Sequence, residues 1–317
     1  MKLGAALARL AGGWHREHMV LALVARRATE TNRALLAAAP PGIDCRFLTP
    51  EEALLQLGPG DTALCRIDVL RTLDGVDDGL WSLGALEAAG VRVLNPTSAL
   101  LASHDKLLTA RLLRRAGLPH PLTRVVHPGG AVPKLELPAV VKPRFGSWGL
   151  DVVRCDDELQ LHRHLRSLGS APWFQTHGAL VQELVPCHGR DLRIVVAAGA
   201  AVGAISRVAP LGEWRTNVSL GGIRVPVEPS EEALELAIDC ASAAGAHLIG
   251  VDLLPDGLGG FTVLELNGAV DFTAEYSLGA DPFAAAMWRL AHIASGASEQ
   301  QHFRPVAPHA EPVLLEG

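Results

Sequence analysis

Through its first hundred residues the chain alternates short apolar runs with segments of helical period: MKLGAALA, TETNRALLAAA, IDCRFL, PEEALLQL, TALCRI, LWSLGALEAAG and VRVLN. Strands that alternate with helices are joined by crossovers and covered on both faces, so a parallel sheet is the expected result. This predicts an N-terminal α/β domain over residues 1–97. From Pro96 to Gly117 the pattern is helical, and PHPLTRVV restarts extended structure. An α+β unit over 98–185 follows, in which AVVKP and DVVRC flank a glycine-rich loop. A third unit, 186–296, opens with DLRIVVAAG and AVGAISRVA, which read as a hairpin about a tight turn. Its helix, SEEALELAIDCASAAGA, has Ser230 as N-cap with Glu231 and Glu232 in the favourable first turn. IGVDLL and FTVLELN, joined by PDGLGG, are its last two strands, and residues 297–317, rich in Pro and His, read as a loosely held tail.

Several classes are disfavoured. A net charge of -6 argues against nucleic acid as partner, and no apolar run is long enough to span a bilayer. The start, MKLGAALARLAGG, has a cationic head and small apolar residues, but Arg9 interrupts the run early, so it is read as part of the first domain. Five cysteines without a CxxC spacing suit reduced thiols and a cytoplasmic location. GxGxxG and GxxxxGK[ST] are both absent, which removes the usual dinucleotide and P-loop signatures. HREH places His15 and His18 three apart, but it is not HExxH and reads as surface.

The chemistry is concentrated in a few residues. The chain is rich in arginine and has only four lysines, Lys2, Lys106, Lys134 and Lys142. A lysine is a compact charge on a flexible stem, suited to a phosphate oxygen, and Lys142 precedes a loop holding Gly146, Ser147 and Gly149. In FTVLELNG strict alternation would put Val263, Glu265 and Asn267 on one face, and Leu264 and Leu266 on the other. With Asp252 on the partner strand, two carboxylates and an amide then need a compensating cation, and oxygen donors of this kind suit Mg2+. Lysines, glycine loop and acidic cluster together indicate a nucleotide site without a P-loop.

These segments, in order, resemble the ATP-grasp superfamily, and within it the RimK-type amino-acid (glutamate) ligases. The resemblance runs from about residue 60 to 290 and rests on SHDKLLTARLLRRAGLPHPLT, VVKPRFGSWG, LVQELV, GRDLRIVV, SRVAPLGEWRTNVSLGG, GVDLL and LELNG. It implies an ATP-grasp fold, α/β and α+β, with an N-terminal parallel-sheet (pre-ATP-grasp) domain. Lys106 and Lys142 would meet phosphates, the loop from Gly146 through Ser147 to Gly149 would close over them, and the backbone at Glu183 and Leu184 would hold adenine. Asp191, with Arg193 beside it, would contact the nucleotide. Arg207, Arg215 and Asn217 would serve catalysis near the γ-phosphate, and Asp252, Glu265 and Asn267 would ligate two Mg2+ ions, with Mn2+ as a substitute. A dimer or tetramer of identical subunits is also implied.

The expected activity is an ATP-dependent carboxylate-amine ligase working through an acyl phosphate, because joining an acid to an amine requires the acid to be activated. After Asn267 the chain reads GAVDFTAEYSLGAD where the ribosomal-protein glutamate ligases have an SPG run, so its substrates are expected to differ from theirs. Net acidity disfavours an acidic carrier partner and favours small carboxylate and amine substrates, with a γ-glutamyl or amino-acid ligase acting on a free amino acid as the preferred reading. The alternatives are a LysX-like ligase that charges a carrier protein or peptide C-terminus, and a non-catalytic nucleotide-binding module.

Overall fold

The structure is a computed structural model and describes residues 19–296. The expected strand in MKLGAALA, the HREH histidines and the tail from residue 297 lie outside the described residues.

The first sheet is parallel, in the order β2-β1-β3-β4, from β1 (Val20–Val24), β2 (Asp44–Leu48), β3 (Thr62–Cys65) and β4 (Arg92–Leu94). Its crossovers are α1 (Glu30–Ala37), α2 (Pro50–Gln56) and α3 (Gly79–Ala88). Every residue of β1 is buried, as a strand covered on both faces requires. Local chemistry fixes the helix starts: Thr29 accepts from Asn32, and Thr49 forms a capping box with Glu52 ahead of Pro50.

Two helices, α4 (Thr97–His104) and α5 (Lys106–Arg115), lead to an antiparallel sheet in the order β5-β8-β6-β7. Its strands are β5 (Thr123–Val126), β6 (Ala139–Pro143), β7 (Val153–Cys155) and β8 (Ala179–Glu183), with α6 (Glu158–Ser167) and α7 (Pro172–His177) between β7 and β8. The third sheet, order β11-β10-β9-β12-β13, comprises β9 (Arg190–Ala197), β10 (Ala200–Val208), β11 (Ile223–Val225), β12 (Leu248–Pro255) and β13 (Phe261–Asn267). α8 (Glu231–Ala244) starts on Ser230 and ends at Gly245 in the left-handed conformation, and α9 (Pro282–Ala294) closes the described chain. The β9–β10 turn is the dipeptide Ala198–Gly199, both residues at positive φ, which matches the twist of paired antiparallel strands.

Each sheet has an apolar cluster of its own, and further apolar packing bridges them. Leu21, Leu23 and Leu64 of the first sheet share one cluster with Val195 and Ala197 of β9, Phe272, and Met287 and Leu290 of α9. Leu73, from the loop after β3, is buried among Val126 and Ala139 of the second sheet and Trp173 of α7. The loop between first-sheet elements is thus anchored in the middle unit, so the unit boundaries in the chain are bridged by apolar packing.

Candidate active site

The second and third sheets flank an open cleft. Among its walls are Lys106, Lys142, the loop from Gly146 to Leu150, the β8 end at Glu183 and Leu184, and Asp191, Arg207, Arg215, Asn217, Asp252 and Glu265. Residues far apart in sequence thus meet in one space. Arg193 and Asn267 line a second, polar chamber that opens beside the cleft.

Lys106 begins α5, whose N-cap Asp105 accepts from the Leu107 amide at 3.0 Å and pairs with Arg144 next to the glycine loop. The Lys106 amide donates to Arg144 O at 3.1 Å, and its ammonium donates to Gly146 O and lies 4.0 Å from Glu265. Lys142, on β6, is 5% exposed and donates to Gln182 Oε1 at 2.7 Å. Burial and the nearby Lys106 charge lower it to about 8, against a smaller pull from Glu265.

The glycine loop is closed down in this structure. Arg215 donates to Gly149 O at 3.0 Å and to Val152 O at 3.3 Å, Ser219 donates to Trp148 O at 2.9 Å, and the Arg71 guanidinium lies 4.5 Å above the Trp148 ring. Glycine is required here: at φ +133° a Cβ on Gly146 would sit 2.6 Å from Leu73 Cδ2.

The acidic groups differ from the sequence expectation. Asp191 does not present a free carboxylate to a nucleotide: Arg207 holds both its oxygens and Thr216 donates to one of them. Arg193 faces the chamber rather than the cleft and grips Asp252 at 2.6 and 2.7 Å, while Arg207 reaches the same carboxylate at 2.8 Å. Burial works to raise Asp252, but Arg193 and Arg207 outweigh it and hold the group at about 2. The register explains the set, since Arg207 stands opposite Asp191 and Asp252 opposite Arg193 on neighbouring strands. At the hinge, the amides of Glu183 and Leu184 donate to Leu122 O and Pro138 O, so any backbone contact to adenine falls to the carbonyl side of that segment.

Strict alternation in FTVLELNG is also corrected. Asp252 pairs with Glu265 but Leu253 with Val263, so Leu264 is an inserted residue that resets the pleat. Val263 therefore joins Leu253 and Leu266 in the core, and Leu264 turns to the cleft with Glu265.

The donor set fits a hard divalent ion. Among the described residues the one ion pair of Glu265 is with Lys106 at 4.0 Å, with the Lys142 charge also nearby, and Asp252 Oδ1 accepts a single bond, from Arg193. Asn267 directs Nδ2 to Asp252 Oδ2 at 3.5 Å, which leaves its carbonyl oxygen without a protein donor among the described residues. Charge supports the same fit. The cleft's cations, Lys106, Lys142, Arg207 and Arg215, are matched one for one by Glu183, Asp191, Asp252 and Glu265, so a polyphosphate would bring negative charge that a divalent ion offsets. Beside the cleft, Arg215 also pairs with Glu213 and holds its carboxyl down at about 2. Glu265, Asp252 and Asn267 would hold the ion, which neutralises phosphate oxygens when bound.

Residues that sequence reading passed over complete the walls. Gln182 holds Lys142, Thr216 holds Asp191, Arg144 pairs with Asp105, and Asp68, His104 and Arg224 line the chamber. A polar residue inside a buried strand, as Gln182 is in ALVQE, was the available signal.

Comparison with known proteins agrees with this architecture. The RimK-like ATP-grasp domain matches residues 103–284. The chain belongs to the RimK-like ATP-grasp family. It is 31% identical over 223 residues to the glutamate–LysW ligase ArgX of Sulfurisphaera tokodaii, covering 68% of this chain and 78% of that one. It is 33% identical over 254 residues to the tetrahydromethanopterin:alpha-L-glutamate ligase of Methanosarcina acetivorans, covering 71% and 78%. The crystal structure of a RimK domain ATP-grasp protein from Sphaerobacter thermophilus superposes with a TM-score of 0.60 at 21% identity, covering 86% of this chain and 99% of that one, a likeness of fold. The expected ATP-grasp architecture is thus met, and the RimK-like chain is an ATP-dependent carbon–nitrogen ligase that uses ATP and Mg2+. No helix among the described residues is long and apolar enough to cross a membrane.

Proposed function

We propose that this ligase joins the carboxylate of a small amino acid, glutamate being the leading candidate, to the amine of a second free amino acid. The observation that carries this reading is the polar chamber beside the nucleotide cleft. The two spaces share Ser147, Trp148, Arg207, Asn217 and Glu265, so a group in the chamber lies next to where a γ-phosphate would end. The chamber offers charge of both signs: Asp68 and Asp271 line it together with Arg224, which has Glu275 at 3.9 Å. That pattern suits small zwitterions.

In this reading the substrate carboxylate oxygen attacks the γ-phosphorus, the β,γ-bridge bond breaks, and ADP leaves. The amine then attacks the acyl carbon, and inorganic phosphate departs with the pair of electrons of the C–O bond as the nitrogen loses a proton. Lys142 and Lys106 bear the phosphate charge, while Arg207, fixed by two carboxylates, faces both the cleft and the chamber without having to reorganise. The metal-site residues serve two Mg2+ ions, and Mn2+ substitutes for them.

A second reading, transfer of the amino acid to a carrier protein, is favoured by the likeness to the glutamate–LysW ligase. One experiment separates the two. ADP release is measured with MgATP across single amino acids and pairs, with Lys142→Ala as control. Release that needs one pair, with the amide product seen by mass spectrometry, supports the free amino-acid reading. Release only when a small acidic carrier protein or peptide with a free C-terminus is added replaces it with the second.

A further inference from the structure

The phosphate lysine is oriented from outside the cleft. Val263 on β13 is clamped by the segment before β5: its amide donates to Pro119 O at 2.9 Å, and its carbonyl lies 2.8 Å from His120 Nδ1. A carbonyl oxygen only accepts, so the His120 proton sits on Nδ1. The ring is neutral near pH 7, because burial and the neighbouring Lys142 charge lower its pKa to about 4, despite the bond to Val263. Nε2 is therefore an obligate acceptor.

Gln182 Nε2 lies 3.3 Å from that nitrogen and donates to Thr123 Oγ1 at 2.7 Å. The Thr123 hydroxyl lies 3.4 Å from the same His120 Nε2 but has the nearer Pro121 O at 2.9 Å for its proton, so Oγ1 accepts from Gln182. Both hydrogens of the Gln182 amide now have acceptors, and its oxygen is turned the other way, to Lys142 Nζ at 2.7 Å. A flipped amide would set an NH2 against an ammonium and two acceptors against an oxygen. The directions in this chain follow from two backbone carbonyls, Val263 O and Pro121 O.

We propose that His120 is a positioning residue for nucleotide binding: by accepting through Nε2 it fixes the Gln182 amide, so that Gln182 Oε1 anchors the Lys142 ammonium and aims its remaining hydrogens at the phosphates. His120 lines neither the cleft nor the chamber. The proposal rests on Lys142 meeting the nucleotide, so that premise is tested beside it.

Dissociation constants for a non-hydrolysable ATP analogue with Mg2+ are measured by calorimetry for the parent, Lys142→Ala, His120→Phe and His120→Gln. Phe removes the acceptor; the Gln side-chain oxygen restores one at the reach of Nε2. His120→Phe is expected to weaken binding roughly tenfold, the scale of one misplaced buried hydrogen bond, and His120→Gln to recover most of it. Thr123→Val, which deletes the other acceptor, is expected to act in the same direction, and keeps the proposal testable if His120→Phe does not fold. Nitrogen-15 spectra of the histidines should show His120 protonated on Nδ1. Equal affinities in the two His120 variants, with both merely less stable, would overturn the proposal, as would a ring protonated on Nε2. If Lys142→Ala leaves the affinity unchanged, the premise and the proposal fall together. If it weakens binding while His120→Phe does not, Lys142 keeps its place and His120 loses its role.

Discussion

Arg207 grips Asp191 with two nitrogens and with one of these also reaches Asp252, so a single guanidinium ties β9 to β12 from the strand next door. Both carboxylates are almost wholly buried, and neither could keep its charge there alone. Replacing Arg207 by Ala is expected to cost about 3–5 kcal/mol, since it strands buried charge rather than merely removing a contact. Arg207→Lys keeps the charge but not the fork, so it should retain more stability while lowering kcat at least tenfold. Urea unfolding and turnover on the two variants check this; a stable, fully active Ala variant would refute it.

Gly149 carries the closed loop against the segment that follows β10. At φ +70° a Cβ there would come within 2.8 Å of Asn217 Oδ1 and 2.9 Å of Leu220 Cδ1. Gly149→Ala therefore has to shift the loop outward or strain the backbone, at about 1–2 kcal/mol. The expected result is a severalfold rise in KM for ATP with a smaller effect on the melting temperature. Limited proteolysis of the loop, faster in the variant, is the independent check.

The sequence reading reached the parallel first sheet, the hairpins and the Ser230 helix cap because each depends on local pattern. It failed at Leu264, where one inserted residue resets the pleat and moves Val263 into the core; alternation cannot announce a bulge. It named Asp191 and Arg193 for the nucleotide without foreseeing that strand register would pair them with Arg207 and Asp252. The spacing of Asp191 and Arg193 was visible, but the strand facing each is decided by long-range pairing. His120 was passed over for the same reason, since its partners are 62 and 143 residues away.

Removing the metal tests the reading of Glu265. The fold does not rest on an ion here, because Asp252 is already held by two arginines. A chelator is expected to abolish ADP release and leave the melting temperature of the nucleotide-free protein unchanged. Glu265→Gln should raise the Mg2+ concentration needed for half-maximal rate and lower kcat by about 10²–10³, the scale of losing one fixed stabiliser of transition-state charge. An unchanged magnesium dependence would remove Glu265 from the site.

Lys142 is kept charged in a place that disfavours charge, and that makes a signed expectation. Its value in the folded protein is lowered to about 8 from 10.5, chiefly by burial, so the folded state holds fewer protons than the unfolded chain between those values. Below pH 8 the penalty of burying the ammonium is present in full; it disappears as pH rises towards 10.5. Lys142→Met never bears this penalty, so its stability relative to the parent should be greatest near pH 7 and should shrink by up to ~3 kcal/mol as pH rises from 8 to 10.5. The loss of a donor to Gln182 shifts the whole difference and leaves its slope intact. In the parent, kcat/KM for ATP should fall above about pH 8, because that ratio reports the free enzyme's ionisation. Denaturant titrations of both proteins at a series of pH values decide the matter: a difference that grows with pH would mean the ammonium is stabilised by its surroundings, and the strain assigned to this lysine would be wrong.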